Sequence, residues 1–103
     1  MAAPAQPKPQ APTRTQPATR TIEVLDRPWH VIVFNDPVNI MNFVTLVFQR
    51  VFGYPKEKAE SLMLHIHRHG KSIVWSGARE RAEFYVQQLQ SHQLWASMEQ
   101  SEP

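Results

Sequence analysis

Residues 40–52, IMNFVTLVFQRVF, carry large apolar side chains at Ile40, Met41, Phe43, Val44, Leu46, Val47, Phe48, Val51 and Phe52. The segment reads as a helix. Asn39 can cap its start, and Gly53-Tyr54 breaks it. Only Asn42, Thr45 and Gln49 make a clear polar stripe, with Arg50 beside it. A helix apolar on most of its circumference must have more than one apolar neighbour. The chain has 103 residues, enough for one small domain with a modest core. So this helix must be a central packing element, and the other segments have to be read as its partners.

Those partners are legible. PWHVIVFN gives strand one over 28–34, a short run rich in β-branched and aromatic residues. Pro55 suits the first turn of a second helix that runs to about His69 and stops at Gly70. Its core stripe is Ala59, Leu62, Met63 and Ile66, at helical spacing. KSIVWS (71–76) is strand two. ARERAEFYVQQLQSH (78–92) is a third helix, with Ala82, Tyr85, Val86 and Leu89 facing in and Arg79, Glu80, Arg81 and Glu83 facing out. LWASME (94–99) closes as strand three. The order is βααβαβ. The expected class is α+β: a three-stranded antiparallel sheet with three helices on one face.

The chain divides near residue 26. MAAPAQPKPQAPTRTQPATR contains no large apolar residue beyond the initial Met. It cannot bury enough surface to offset its ordering entropy, so residues 1–26 are expected to be a disordered extension before a domain at 27–103. It lacks the apolar region of a secretory signal. No apolar run is long enough to span a membrane. Cysteine is absent, which removes disulfides and thiolate chemistry and fits the cytosol. The net charge is +2, and residues 1–20 hold Lys8, Arg14 and Arg20 and no acid. No Lys/Arg stripe with interleaved aromatics points to nucleic acid.

Candidate chemistry is sparse. With 3 glycines there is no phosphate-cradling loop, and no paired acids or Ser-His-Asp set can be placed. His65 and His69 stand at i, i+4 and could share a metal, but no His-Glu-x-x-His motif and no third ligand accompany them. They are expected to be exposed, with no metal and no cofactor. His67 lies at the edge of the buried stripe and reads as a packed core histidine or as a site residue. The hinge Asn35-Asp36-Pro37 sits between two apolar segments. It reads either as a turn ahead of a helix cap or as a cation site beside an apolar hole.

Taken together, FNDPVNIMNFV (34–44), LMLHIHRHGK (62–71) and LWASME (94–99) resemble the ClpS family. These are bacterial adaptors that bring N-degron substrates to the ClpA or ClpC unfoldase of a Clp protease. The resemblance runs from about Trp29 to Glu99. It implies a non-enzymatic, cytoplasmic, monomeric adaptor that binds a free N-terminus beginning with Phe, Tyr, Trp or Leu.

By that resemblance Asn35, Asp36 and His67 surround the α-ammonium group. Asp36 supplies charge, Asn35 its amide oxygen, and His67 a neutral ring nitrogen. Asn39, Met41, Val44, Met63, Ile66 and Leu94 line the side-chain hole. This explains the excess apolar surface of the first helix, one side packing on the sheet and another, around Met41 and Val44, helping to form the hole. Glu80 and Tyr85 fall at positions associated with docking to the N-terminal domain of the unfoldase. The N-terminal extension is implied to be engaged by the unfoldase during handover. The chain departs from the family where many relatives carry a second acid (here Pro37) and Thr-Pro (here Asn39-Ile40). The rival readings are a general interaction module of the same fold without a pocket, and a small metal or nucleic-acid binder.

Overall fold

A computed structural model describes residues 27–102. The expectation of a disordered extension over 1–26 lies outside the described residues. The elements are β1 (Trp29–Phe34), α1 (Met41–Phe52), α2 (Lys56–His69), β2 (Lys71–Gly77), α3 (Arg79–Ser91) and β3 (Ala96–Gln100). The βααβαβ order and the open antiparallel sheet match the expectation. Strand β1 is central, in the order β2-β1-β3, and is antiparallel to both neighbours.

Alternation along β1 sets the layers. Val31 and Val33 are 0% and 2% exposed and join the core with Val47, Phe48, Ala59, Met63, Ile66, Ala82, Tyr85 and Leu89 from the helices. Ile32 points to the other, open face, opposite Ile73 and Ser97. The register with β2 slips between Val31 and Ile32, leaving Val74 as an extra residue. Such a bulge turns consecutive side chains toward one face. Hence Val74 and Trp75 both pack into the helix layer, where Trp75 meets the Tyr85 ring at 4.9 Å.

Glycine closes the first two helices. Gly53 (φ 72°) and Gly70 (φ 90°) take the left-handed conformation and donate back to Gln49 O and Ile66 O. The last strand starts two residues later than expected. Leu94 N–H still bonds Leu89 O, and Gln93 has φ 70°, so the chain has not straightened before Ala96.

Two expectations about α1 are corrected. Its N-cap is Ile40, with no side-chain cap, and the Asn39 amide nitrogen donates instead to Asp36 Oδ2 and Gln93 O. Thr45 does not belong to an outer polar stripe: it is 7% exposed, with an unpartnered buried hydroxyl oxygen. The buried arc of α1 is centred on Phe48, and Thr45 falls at its edge. Phe43 and Leu46 lie outside it, 39% and 44% exposed, so part of the helix's apolar excess faces out.

Candidate functional site

Strand β1 ends in a turn that its own residues build. Asn39 N–H donates to Asp36 O at 3.2 Å, closing a four-residue turn with Pro37 in its second position. Asp36 Oδ1 accepts from Val38 N–H at 2.9 Å, the local bond an aspartate favours in turns. The turn is pinned on both sides. Asn35 N–H donates to Gly70 O at 2.8 Å, setting Asn35 beside the end of α2 that carries His67. Phe34 N–H donates to Trp95 O at 2.9 Å, setting the strand end beside the segment that carries Leu94.

Behind the turn lies a cavity of about 250 Å³. Asn35, Asp36 and His67 stand in its lining, as do Asn39, Met41, Val44, Met63, Ile66 and Leu94. The structure therefore brings all nine of these residues around one space, from three separate stretches of chain. Met63, Ile66 and Leu94 are buried, Val44 is half-buried, and Met41 is 37% exposed. One wall is thus dry and apolar, while Asn35 and His67 are exposed and Asp36 is half-buried. Among the described residues, the Asn35 amide and the His67 ring make no side-chain hydrogen bond. Asp36 uses one bond on each oxygen, to Val38 N–H and to Asn39 Nδ2, which leaves further lone pairs on the carboxylate. The arrangement suits a small ligand with a donor-rich cationic group next to a large apolar one.

Two lining residues were not anticipated, Val33 and Phe34; Pro37, where many relatives carry a second acid, lines the cavity as well. The signal for Val33 was its alternation with Val31 on the helix-facing side of β1. Asn39 was expected as a helix cap and in the lining of the hole, yet its Nδ2 donates to Asp36 Oδ2 at 2.9 Å and to Gln93 O at 3.0 Å. No local pattern could disclose the second bond, because Gln93 is 54 residues away.

The remaining candidates lie elsewhere. Glu80 is exposed in the first turn of α3. Tyr85 is only 7% exposed. Its ring packs on Phe52, Trp75 and Phe84, and its hydroxyl accepts from Arg81 Nη2 at 2.7 Å. That burial corrects the expectation of Tyr85 as a docking contact. The His65 and His69 rings sit 4.4 Å apart and are exposed. Among the described residues, no three His, Cys, Asp or Glu side chains gather as a metal site, and no helix is long and apolar enough to cross a membrane.

Comparisons with known proteins agree with one another. The family model described as ATP-dependent Clp protease adaptor protein ClpS matches residues 25–97. The ATP-dependent Clp protease adapter protein ClpS of Nocardia farcinica is 46% identical over 84 residues, covering 82% of this chain and 79% of its own. That of Mycobacterium tuberculosis is 44% identical over 100 residues, covering 97% and 95%. Among solved structures, Agrobacterium tumefaciens ClpS2 bound to L-phenylalaninamide matches with a TM-score of 0.69 at 23% identity, over 74% of this chain and 99% of that one. With most of its length inside the family model and near-full-length relatives above 40% identity, this chain belongs to the ClpS family of Clp protease adaptors.

Proposed function

We propose that the protein recognises substrates by a free N-terminus that begins with Phe, Tyr, Trp or Leu, and delivers them to a Clp unfoldase. The observation that carries this reading is the single cavity whose mouth holds Asn35, Asp36 and His67 and whose wall holds Val44, Met63, Ile66 and Leu94. An N-terminal residue of this kind carries an ammonium and a large apolar side chain on one carbon. A receptor has to satisfy the first while drying the second. Asp36 provides charge, and the Asn35 amide oxygen and a neutral His67 nitrogen accept the remaining donors. L-phenylalaninamide, bound by the structural relative, has the same two parts.

The role is that of a non-catalytic, monomeric adaptor in the cytoplasm. Its delivery partner is the N-terminal domain of a ClpA- or ClpC-type unfoldase, with the exposed Glu80 in the docking surface and residues 1–26 as the segment the unfoldase engages. Deleting residues 1–20 leaves peptide affinity unchanged and stops degradation of N-degron substrates by the cognate protease. Full-rate delivery by the truncated protein contradicts the role of the extension.

The recognition step is tested by titration with peptides that differ only in residue one. Burial of a Phe side chain contributes about 1.5–3 kcal/mol, so a Phe-initiated peptide binds roughly tenfold or more above an Ala-initiated one. Equal affinities rule out the pocket reading.

A further inference from the structure

Asn39 touches both halves of the site. Its side-chain nitrogen has two protons, and both are used: one on Asp36 Oδ2 (2.9 Å), the other on Gln93 O (3.0 Å). Asp36 stands at the mouth, and its second oxygen is held by Val38 N–H. Gln93 directly precedes Leu94, which is 4% exposed and lines the cavity. Gln93 is also the non-glycine residue with positive φ (70°) among the described residues. Side chains rarely take that conformation without help from their surroundings. Its carbonyl, presented to Asn39, gives this turn a side-chain tie to the mouth, beside the backbone bond from Phe34 N–H to Trp95 O.

We propose that Asn39 is a positioning residue that clasps the Asp36 carboxylate to the Gln93-Leu94 turn, so that the ammonium grip and the side-chain wall are held at one fixed separation. This rests on the adaptor reading of the cavity and adds a determinant of its selectivity. The choice of residue follows from donor count. A Ser or Thr hydroxyl has one proton and serves one partner only. An aspartate has none, and sets a second carboxylate against Asp36. Asparagine alone among these short side chains donates to a carboxylate and a carbonyl from one atom. Releasing the clasp frees the Leu94 wall, which matters to a ligand that fills the cavity and not to one that leaves it empty.

The test combines peptide titration with amide hydrogen exchange on the full chain, comparing wild type with Asn39→Ala and Asn39→Asp. Both variants lose about tenfold in affinity for the Phe-initiated peptide, the effect of a lost charge-assisted bond, with Asp the worse. The Phe-to-Ala affinity ratio falls severalfold in both. The Leu94 amide, bonded to Leu89 O, exchanges faster, while amides in the middle of β1 do not change. General destabilisation lowers both peptide affinities together and leaves their ratio intact, so a preserved ratio overturns the clasp. So does an unchanged Leu94 exchange rate in Asn39→Ala, whatever the peptides do. If wild type itself fails to distinguish Phe from Ala, the adaptor reading falls first and its selectivity determinant with it.

Discussion

The two ends of helix α1 solve the same problem in opposite ways. At the C-terminal end the space beside the sheet is filled from within. Phe52 stacks on Tyr54 with centroids 4.9 Å apart, meets Tyr85 at 4.7 Å and Phe48 at 6.2 Å, and Trp75 closes on Tyr85. Tyr54 OH then donates to Val74 O at 2.6 Å, and Lys58 covers the outer ring at 4.1 Å. At the N-terminal end no aromatic ring of α1 or α2 fills the corresponding place, and a cavity of about 250 Å³ is lined by Met41, Val44, Met63 and Ile66. Its mouth is polar where the other end is capped by rings. The contrast teaches that the fold spends its own aromatic residues on stability at one end. At the other it keeps an apolar recess where a ligand's aromatic ring can find the same kind of contact.

The sharpest way to break this contrast is to empty the filled end. Tyr85→Ala removes the ring shared by Phe52, Trp75 and Phe84, and should cost about 3–5 kcal/mol of stability. Chemical denaturation checks this. Below the unfolding transition, peptide selectivity stays as in wild type. Altered preference for residue one would mean that the two ends are not independent.

The complementary change at the open end is Asp36→Ala. It takes the carboxylate from the mouth and should weaken Phe-peptide binding by about a hundredfold, while the circular dichroism spectrum stays folded. Loss of that spectrum would make Asp36 a turn residue first and a ligand group second.

Met41→Ala is gentler. The side chain sits at the rim, 37% exposed, and is long and unbranched. In the proposed reading a β-branched first residue carries its bulk beside the ammonium, so Ile and Val should be rejected by clash. The variant should admit Ile- and Val-initiated peptides, with an increase of roughly tenfold, and keep Phe binding within a few-fold. Equal loss of all ligands would make Met41 a packing residue.

The smallest effect belongs to Tyr54. Burial, and then the neighbouring Tyr85, push its phenol above the ordinary range. The folded state therefore holds this proton more tightly than the unfolded chain. The contribution is complete at neutral pH and is lost as pH rises beyond about 10. Tyr54→Phe should cost about 0.5–1.5 kcal/mol for the bond to Val74 O, and the gap to wild type should narrow in alkali. A gap that widens there would reverse the sign of the account.

What the sequence disclosed, and what it hid, follows the same division. The order of elements was legible because β1 is a short run of β-branched and aromatic residues, α2 and α3 carry clean stripes, and Gly53 and Gly70 stop their helices. The cavity's lining was reached through the resemblance of the Asn35-Asp36 and His67 motifs. The burial of Thr45 was hidden because its polarity argued for the outside, while its position on α1 set it at the edge of the buried arc. The bulge at Val74 was hidden because both Val74 and Trp75 suit a strand, and only pairing with β1 shows the extra residue. The Asn39–Gln93 bond was hidden because Asn39 had an adequate local role as a cap, and its actual partner is distant in sequence.

The central claim is that one cavity reads an ammonium and an apolar side chain together. Its most direct test is calorimetric titration of the wild-type protein with four peptides: Phe- or Ala-initiated, each with a free or an acetylated N-terminus. The expected result is the tightest binding where both parts are present, with the free Phe peptide roughly tenfold or more above the free Ala peptide and no detectable binding of either acetylated form. An acetylated Phe peptide that binds as well as the free one would contradict it.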